Sequence, residues 1–230
     1  MDGPALAPDV TRNQQPGPQP QTSQPWVGRA ILEGVVFALA VALLSASAGP
    51  LLASRLAEAT RQPSCSDSRE LVRLQPITSA ASSSLPPDVT KDGRRLNYEH
   101  RLAIDGDTGT AWVEGKPGLG QGEWIEFTFP RAVKPELICI VNGYALMWDL
   151  YQKNPRVRGI LVTASEQDDL PVVLLDAGTP DRVAVFQDVK VRRLRPNRTI
   201  RLTVTSLYAA SGRERYEDTS LSEIEFWGAP

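Results

Sequence analysis

The chain has 230 residues, 41% of them hydrophobic and 23% charged, with a formal net charge of −2. That length holds one domain of ordinary size plus accessory segments, and the charge balance leaves no concentrated basic face for nucleic acid. Two cysteines, Cys65 and Cys139, are too few for a disulfide framework or a thiolate zinc site, and one histidine, His100, removes most general-base, triad and zinc-imidazole schemes.

Residues 1–28 are rich in Pro, Gln, Gly and Ala without apolar periodicity, which predicts a disordered tail. Residues 29–53 predict a transmembrane helix: the stretch from Ala30 to Ala53 is almost free of charge, lies between Arg29 and Arg55, and is long enough to cross a hydrocarbon core. Glu33 sits near its start, where a carboxylate reaches the interface. Ala46-Ser47-Ala48 also fits a signal-peptide cleavage pattern, but the tail ahead of Arg29 favours an uncleaved signal anchor. A buried helix of a soluble protein is a third reading. Arginines on both sides leave the topology undecided by charge. Residues 54–75 are polar and read as a stalk.

From Pro76 onward short runs of β-branched and aromatic residues are separated by Gly, Pro, Asn and Asp turns. The runs are 124–129, 137–141, 157–163, 171–175, 182–191, 199–207 and 223–227. Ile125, Phe127 and Phe129 alternate with Glu126 and Thr128, a half-buried strand pattern. Such strands without amphipathic helices between them predict an all-β antiparallel sandwich over residues 76–230. Arg192, Arg193 and Arg195 read as a solvated strand face, and Trp112, Trp124 and Trp227 as core. Cys139, inside an apolar run, reads by default as a buried thiol. A Cys65–Cys139 bridge requires an oxidising compartment.

The segment Ile104-Asp-Gly-Asp-Thr-Gly-Thr-Ala-Trp112 places two carboxylates around one glycine. Two readings are open: a loop turning oxygen ligands towards Ca²⁺, or an Asp-Gly turn closed by a hydroxyl. The loop lacks the spacing of an EF-hand. Two further segments combine aromatic faces with hydrogen-bonding groups, as sugar binding requires. The first holds Asn142, Tyr144, Trp148, Tyr151, Asn154 and Arg156; the second holds Tyr208, Arg213, Tyr216 and Asp218.

Taken in order, Asp-Gly-Asp-x-x-Thr-Ala-Trp112, Gly122-Glu-Trp-Ile-Glu-Phe127, Val141-Asn-Gly-Tyr144, Asn154-Pro-Arg-Val157, Tyr208, Tyr216-Glu-Asp-Thr219 and Ser222-Glu-Ile-Glu-Phe-Trp-Gly228 resemble the discoidin, or coagulation factor type C, superfamily. The nearest branch is the NADase-type glycan-binding domain of bacteria, and the resemblance covers about two thirds of the chain. It implies a galactose-binding-like jelly-roll sandwich and an exported C-terminal domain, with the tail left in the cytoplasm. It also implies a structural Ca²⁺ held by Asp105, Asp107, Thr110 and Glu223, pinning the first loop to the last strand. No segment is large enough for a separate catalytic domain, so NADase chemistry is not inherited.

The expectation is therefore a single-pass, membrane-tethered, extracytoplasmic module of a bacterial envelope that binds a glycan and is not an enzyme. One alternative is an envelope protein-interaction or assembly module using the same loops. The other is a carboxylate hydrolase, which needs two acids facing one cleft.

Overall fold

The computed structural model describes residues 64–164 and 169–230. The predicted tail at 1–28, the predicted membrane helix at 29–53 and the first part of the stalk lie outside them. Among the described residues no helix is long and apolar enough to cross a membrane.

The strands run in chain order β1 (Val72–Leu74), β2 (Thr78–Ala81), β3 (Asp88–Val89), β4 (Arg95–Leu96), β5 (Trp112–Val113), β6 (Trp124–Val133), β7 (Pro135–Asn142), β8 (Arg156–Thr163), β9 (Asp169–Val173), β10 (Phe186–Lys190), β11 (Asn197–Tyr208) and β12 (Ser220–Gly228). A 3₁₀ turn, His100–Ala103, precedes β5, and a short helix α1, Trp148–Lys153, follows β7. One antiparallel layer has the order β10-β7-β12, with β1 and β5 on the far side of β12. The other has the order β9-β8-β11-β6-β2. A single parallel bridge, Ser220 to Arg156, joins the two layers. This is the all-β antiparallel sandwich that the strand pattern predicts.

The alternation in β6 decides which side chains meet. Ile125, Phe127 and Phe129 are fully buried, while Trp124, Glu126 and Thr128 face outward. Opposite them, Phe226 of β12 meets the rings of Phe127 at 5.0 Å and Phe129 at 5.3 Å, both edge-on. Such pairs contribute on the order of 1 kcal/mol beyond simple burial. Ile138, Ile140, Ile160, Val162, Ile200 and Leu202 complete this core.

Of the three tryptophans expected in the core, only Trp112 is there, with its indole N–H donating to the Ser83 carbonyl at 2.9 Å. Trp124 and Trp227 fall on outward register positions. The Arg201 guanidinium stacks on Trp124 at 4.0 Å, and the Trp227 indole donates to Glu225.

The second half of the expected stalk belongs to the sandwich, because β1 pairs with β12 from Val72↔Gly228 to Leu74↔Phe226. Just before it, Cys65 and Cys139 form a disulfide across 74 positions of sequence. Strand β7 is buried along nearly its whole length, so its outer face also needs cover. Cys139 lies on that outer face, and the bridge fastens the 64–69 segment over it. The Cys65 N–H donates to Asp188 of β10 at 2.8 Å.

Candidate functional site

The Asp-Gly-Asp loop closes on itself. Gly106 takes φ +85°, which a side-chain-bearing residue adopts only under strain. Asp105 accepts from the Asp107 amide at 2.9 Å, Asp107 accepts from the Gly109 amide at 2.8 Å, and the Thr110 hydroxyl donates to Asp105 at 2.9 Å. Glu223 does reach this loop from β12, but one carboxylate oxygen accepts the Gly106 amide at 3.0 Å. The other faces the Arg73 guanidinium at 3.2 Å, which also reaches Glu225 at 3.3 Å. Burial pushes the Glu223 carboxyl up to about 7, against the pull of the Gly106 amide and Arg73.

Among the described residues no group of three or more His, Cys, Asp or Glu side chains is arranged to hold a metal ion. The four residues that the resemblance names are partnered within the protein: a guanidinium faces the Glu223 carboxylate, and the Thr110 hydroxyl lies within hydrogen-bonding distance of Asp105. The Gly106 amide ties the first loop to Glu223 of the last strand, and Arg73 ties β1 to the same carboxylate.

Five of the ten expected ligand residues are engaged inside the protein. Gly143 follows β7 at φ +76°, and a Cβ there would meet Tyr151 and Arg156 atoms at 2.8–3.0 Å. That close approach lets Tyr151, on α1, lie 2% exposed against the turn. Its hydroxyl donates to Asp176 at 2.7 Å and accepts the Gly178 amide at 3.1 Å. Burial and Asp176 push the phenol up to about 12. Arg156 is 4% exposed, grips Asp176 with two nitrogens at 3.1 and 2.6 Å, and donates to the Asn154 and Ala209 carbonyls. Asn142 exchanges two hydrogen bonds with the Val157 backbone, at 2.7 and 2.9 Å. Trp148 stacks on Tyr151 at 5.6 Å, and the Tyr208 hydroxyl donates to the Leu174 carbonyl at 3.0 Å. Arg213 is exposed and lines neither of the hollows described next.

The other four converge. Tyr144, Asn154, Tyr216 and Asp218 line one cleft of about 270 Å³ at an end of the sandwich. The hairpin β3–β4 brings Asp88, Arg94 and Leu96 to its opposite wall, and Tyr98 and Val113 form its floor. A second hollow of about 390 Å³ shares Arg94, Leu96, Tyr144 and Leu146 and opens towards Asp107 and Thr110. Tyr98 and Tyr144 meet edge to face at 6.5 Å.

The sequence reading missed Tyr98, Asp88 and Arg94. They lie in a stretch with neither strand alternation nor a motif, and only the two-residue strands of the hairpin carry them to the site.

What separates this cleft from the inner set is the state of its polar groups. Among the described residues no hydrogen bond or ion pair engages the side-chain polar atoms of Tyr98, Tyr144, Tyr216 or Arg94, and the Asp218 carboxylate meets only its own backbone amide. Tyr98 is only 8% exposed, so its unpartnered hydroxyl opens into the cleft and nowhere else. Burial, then Tyr144 and Asp88, hold the Tyr98 phenol above its ordinary value. Burial and Glu217 raise the Asp218 carboxyl. Behind the floor, Glu114 is fully buried, accepts the Thr219 and Lys116 amides at 3.1 and 2.9 Å, and is also raised by burial.

His100 bonds the Ser79 hydroxyl at 2.8 Å through Nδ1. Among the described residues no carboxylate accepts a hydrogen bond from its other nitrogen, so the pair lacks the third member of a triad.

The family model described as NAD glycohydrolase translocation F5/8 type C domain matches residues 76–227. No curated protein matches the chain. Solved structures similar to it include the CBM32 of AlyQ in complex with 4,5-unsaturated mannuronic acid, at 16% identity over 69% of this chain and 99% of that one, with a TM-score of 0.44. An F5/8 type C domain from Bacteroides fragilis is 15% identical over 70% of this chain and 97% of its own, with a TM-score of 0.46. The family 32 CBM from C. perfringens NanJ in complex with galactose is 15% identical over 66% and 93%, with a TM-score of 0.42.

Proposed function

Since the chain belongs to the NAD glycohydrolase translocation F5/8 type C domain family, we propose that its sandwich is a carbohydrate-binding module, tethered to a membrane outside the cytoplasm and without catalytic activity. The observation that carries this reading is the cleft of Tyr98, Tyr144 and Tyr216, whose three hydroxyls have no partner among the described residues. A sugar ring presents an apolar C–H face and a rim of hydroxyls, so it pairs with tyrosine faces and with unsatisfied phenols, carboxylate and guanidinium at once. Arg94 supplies donors, Asp218 and Asp88 supply acceptors, and Leu96 and Leu146 give the walls an apolar character.

Two features support the location. A disulfide between Cys65 and Cys139 persists in an oxidising compartment and not in a reducing cytosol. The apolar stretch of residues 30–53 has the length of a signal anchor.

The test is a glycan array probed with the purified full-length chain, beside a Tyr144→Ala variant that stays folded. Selective binding that the variant loses supports the reading. Failure of the folded chain to bind any glycan would sink it and turn the search towards envelope proteins.

One observation favours a second reading. Asp88 and Asp218 line the same cleft, one exposed and one raised by burial, and two acids facing one cleft are the first requirement of a carboxylate glycosidase. Release of reducing ends from a bound glycan, abolished by Asp218→Asn, would establish it; binding without turnover excludes it.

A further inference from the structure

The cleft is not electrically uniform. At one end Asp218 sits beside exposed Glu217 and in front of the buried Glu114, with Asp88 across the gap. At the other end Arg94 approaches Tyr144 and, with Arg95, passes into the second hollow. Neither Asp88 nor Asp218 takes part in an ion pair among the described residues, although Arg94 lines the same cleft, whereas Glu223 faces Arg73 and Glu123 faces Lys116. The side chains of Tyr98, Tyr144 and Tyr216 line the same space.

A partly buried carboxylate without a counter-ion, walled by electron-rich rings, favours a ligand that brings positive charge with it. An ammonium there gains both charge-assisted hydrogen bonds and attraction to the ring faces. A uronate or sialate would set like charges together in a site of reduced dielectric. The raised carboxyl of Asp218 is what burial without a counter-ion produces.

We propose that the cleft selects glycans carrying a free, unacetylated amino group, with the ammonium seated between Asp218, Asp88 and the tyrosine faces and the sugar hydroxyls directed at Arg94. This rests on the carbohydrate-binding reading given above and names the ligand class within it. Asp218 is the specificity-determining residue, because its position beside Glu217 and Glu114 concentrates the negative potential at that end.

The experiment is isothermal titration of the full-length chain, at neutral pH and physiological salt, with three tetrasaccharides of equal length. One is built from glucosamine, one from N-acetylglucosamine and one from a uronic acid. We expect the glucosamine tetramer to bind about tenfold more tightly than its acetylated counterpart, the equivalent of one charge-assisted hydrogen bond, and the uronate tetramer to give no heat. Asp218→Asn, with an unchanged circular dichroism spectrum, should erase the difference between the first two.

Equal or tighter binding of the acetylated or acidic tetramer overturns the charge selection and leaves the carbohydrate reading intact. So does silence from all three while the array records another glycan. Silence on the array as well removes both.

Discussion

Arg156 and Asp176 close a two-pronged ion pair, Nε to one carboxylate oxygen at 3.1 Å and Nη2 to the other at 2.6 Å, directly behind the turn that carries Tyr144. The pair joins β8 to the segment after β9 and, through the Asn154 and Ala209 carbonyls, fixes the end of α1 and the start of the last loop. Removing Asp176 strands a guanidinium whose side chain is 5% exposed. Asp176→Ala should lower unfolding free energy by about 3 kcal/mol, measured by urea denaturation. The guanidinium holds the Asp176 carboxyl below its ordinary range, so its contribution is present above the unfolded carboxylate value of 3.8 and is lost as pH falls through the lower folded value. Asp176→Asn should therefore flatten the stability profile below about pH 4 relative to the parent chain. Profiles of equal slope would show that the pair is not linked to acid unfolding.

The disulfide closes a long loop, since Cys65 and Cys139 are 74 positions apart. Loop-closure entropy for that separation corresponds to about 4 kcal/mol. A Cys65→Ser, Cys139→Ser chain should lose an amount of this order in urea, and reductant should lower the melting temperature of the parent but not of the variant. A parent indifferent to reductant while folded thiols remain unreactive would mean that the two cysteines stay reduced.

Thermal stability should be the same in millimolar Ca²⁺ and in chelator, because Arg73 supplies the positive charge between Glu223 and Glu225. Arg73→Met leaves both carboxylates facing each other without it and should cost about 2 kcal/mol. A melting temperature that rises with Ca²⁺ in the parent chain would show that the loop rearranges to take the ion.

Much of the sandwich is legible in sequence because its signal is local. Alternation in 124–129 and 199–207 reports one buried face per strand, and those segments became β6 and β11 with Ile125, Phe127, Ile200 and Leu202 inside. The same signal fails where both faces are covered, as in β7, and it cannot show that Trp124 and Trp227 lie on the outer faces of their strands. The candidate site is legible only in part. Tyr144, Tyr216 and Asp218 stand out as aromatic and acidic residues in loops, but so do Tyr151 and Arg156, and sequence does not say which aromatic will find a buried partner. That is decided by Gly143, whose missing Cβ lets Tyr151 sink against the turn, and by Asp176, which lies far along the chain. Tyr98 carries no signal of its own, since its place follows from the β3–β4 hairpin and the 3₁₀ turn.

That division between buried struts and unpartnered cleft residues can be measured directly. Tyr151→Phe removes one donor to Asp176, which keeps Arg156, and leaves the Gly178 amide without its acceptor, so it should cost about 1 kcal/mol of stability. It should leave glycan affinity unchanged. Tyr216→Ala truncates a side chain on a residue that is 44% exposed and should leave stability within about 0.5 kcal/mol, while weakening binding about tenfold through loss of an aromatic face. Tyr98→Phe is the sharper test, because its hydroxyl has no partner among the described residues to lose: stability should hold or rise slightly, and affinity should fall several-fold. Urea denaturation and calorimetric titration of the three variants separate the two roles. Affinity lost in Tyr151→Phe and kept in Tyr98→Phe would move the binding face from the cleft to α1, where the inner hydrogen bonds would then have to open for the ligand to enter.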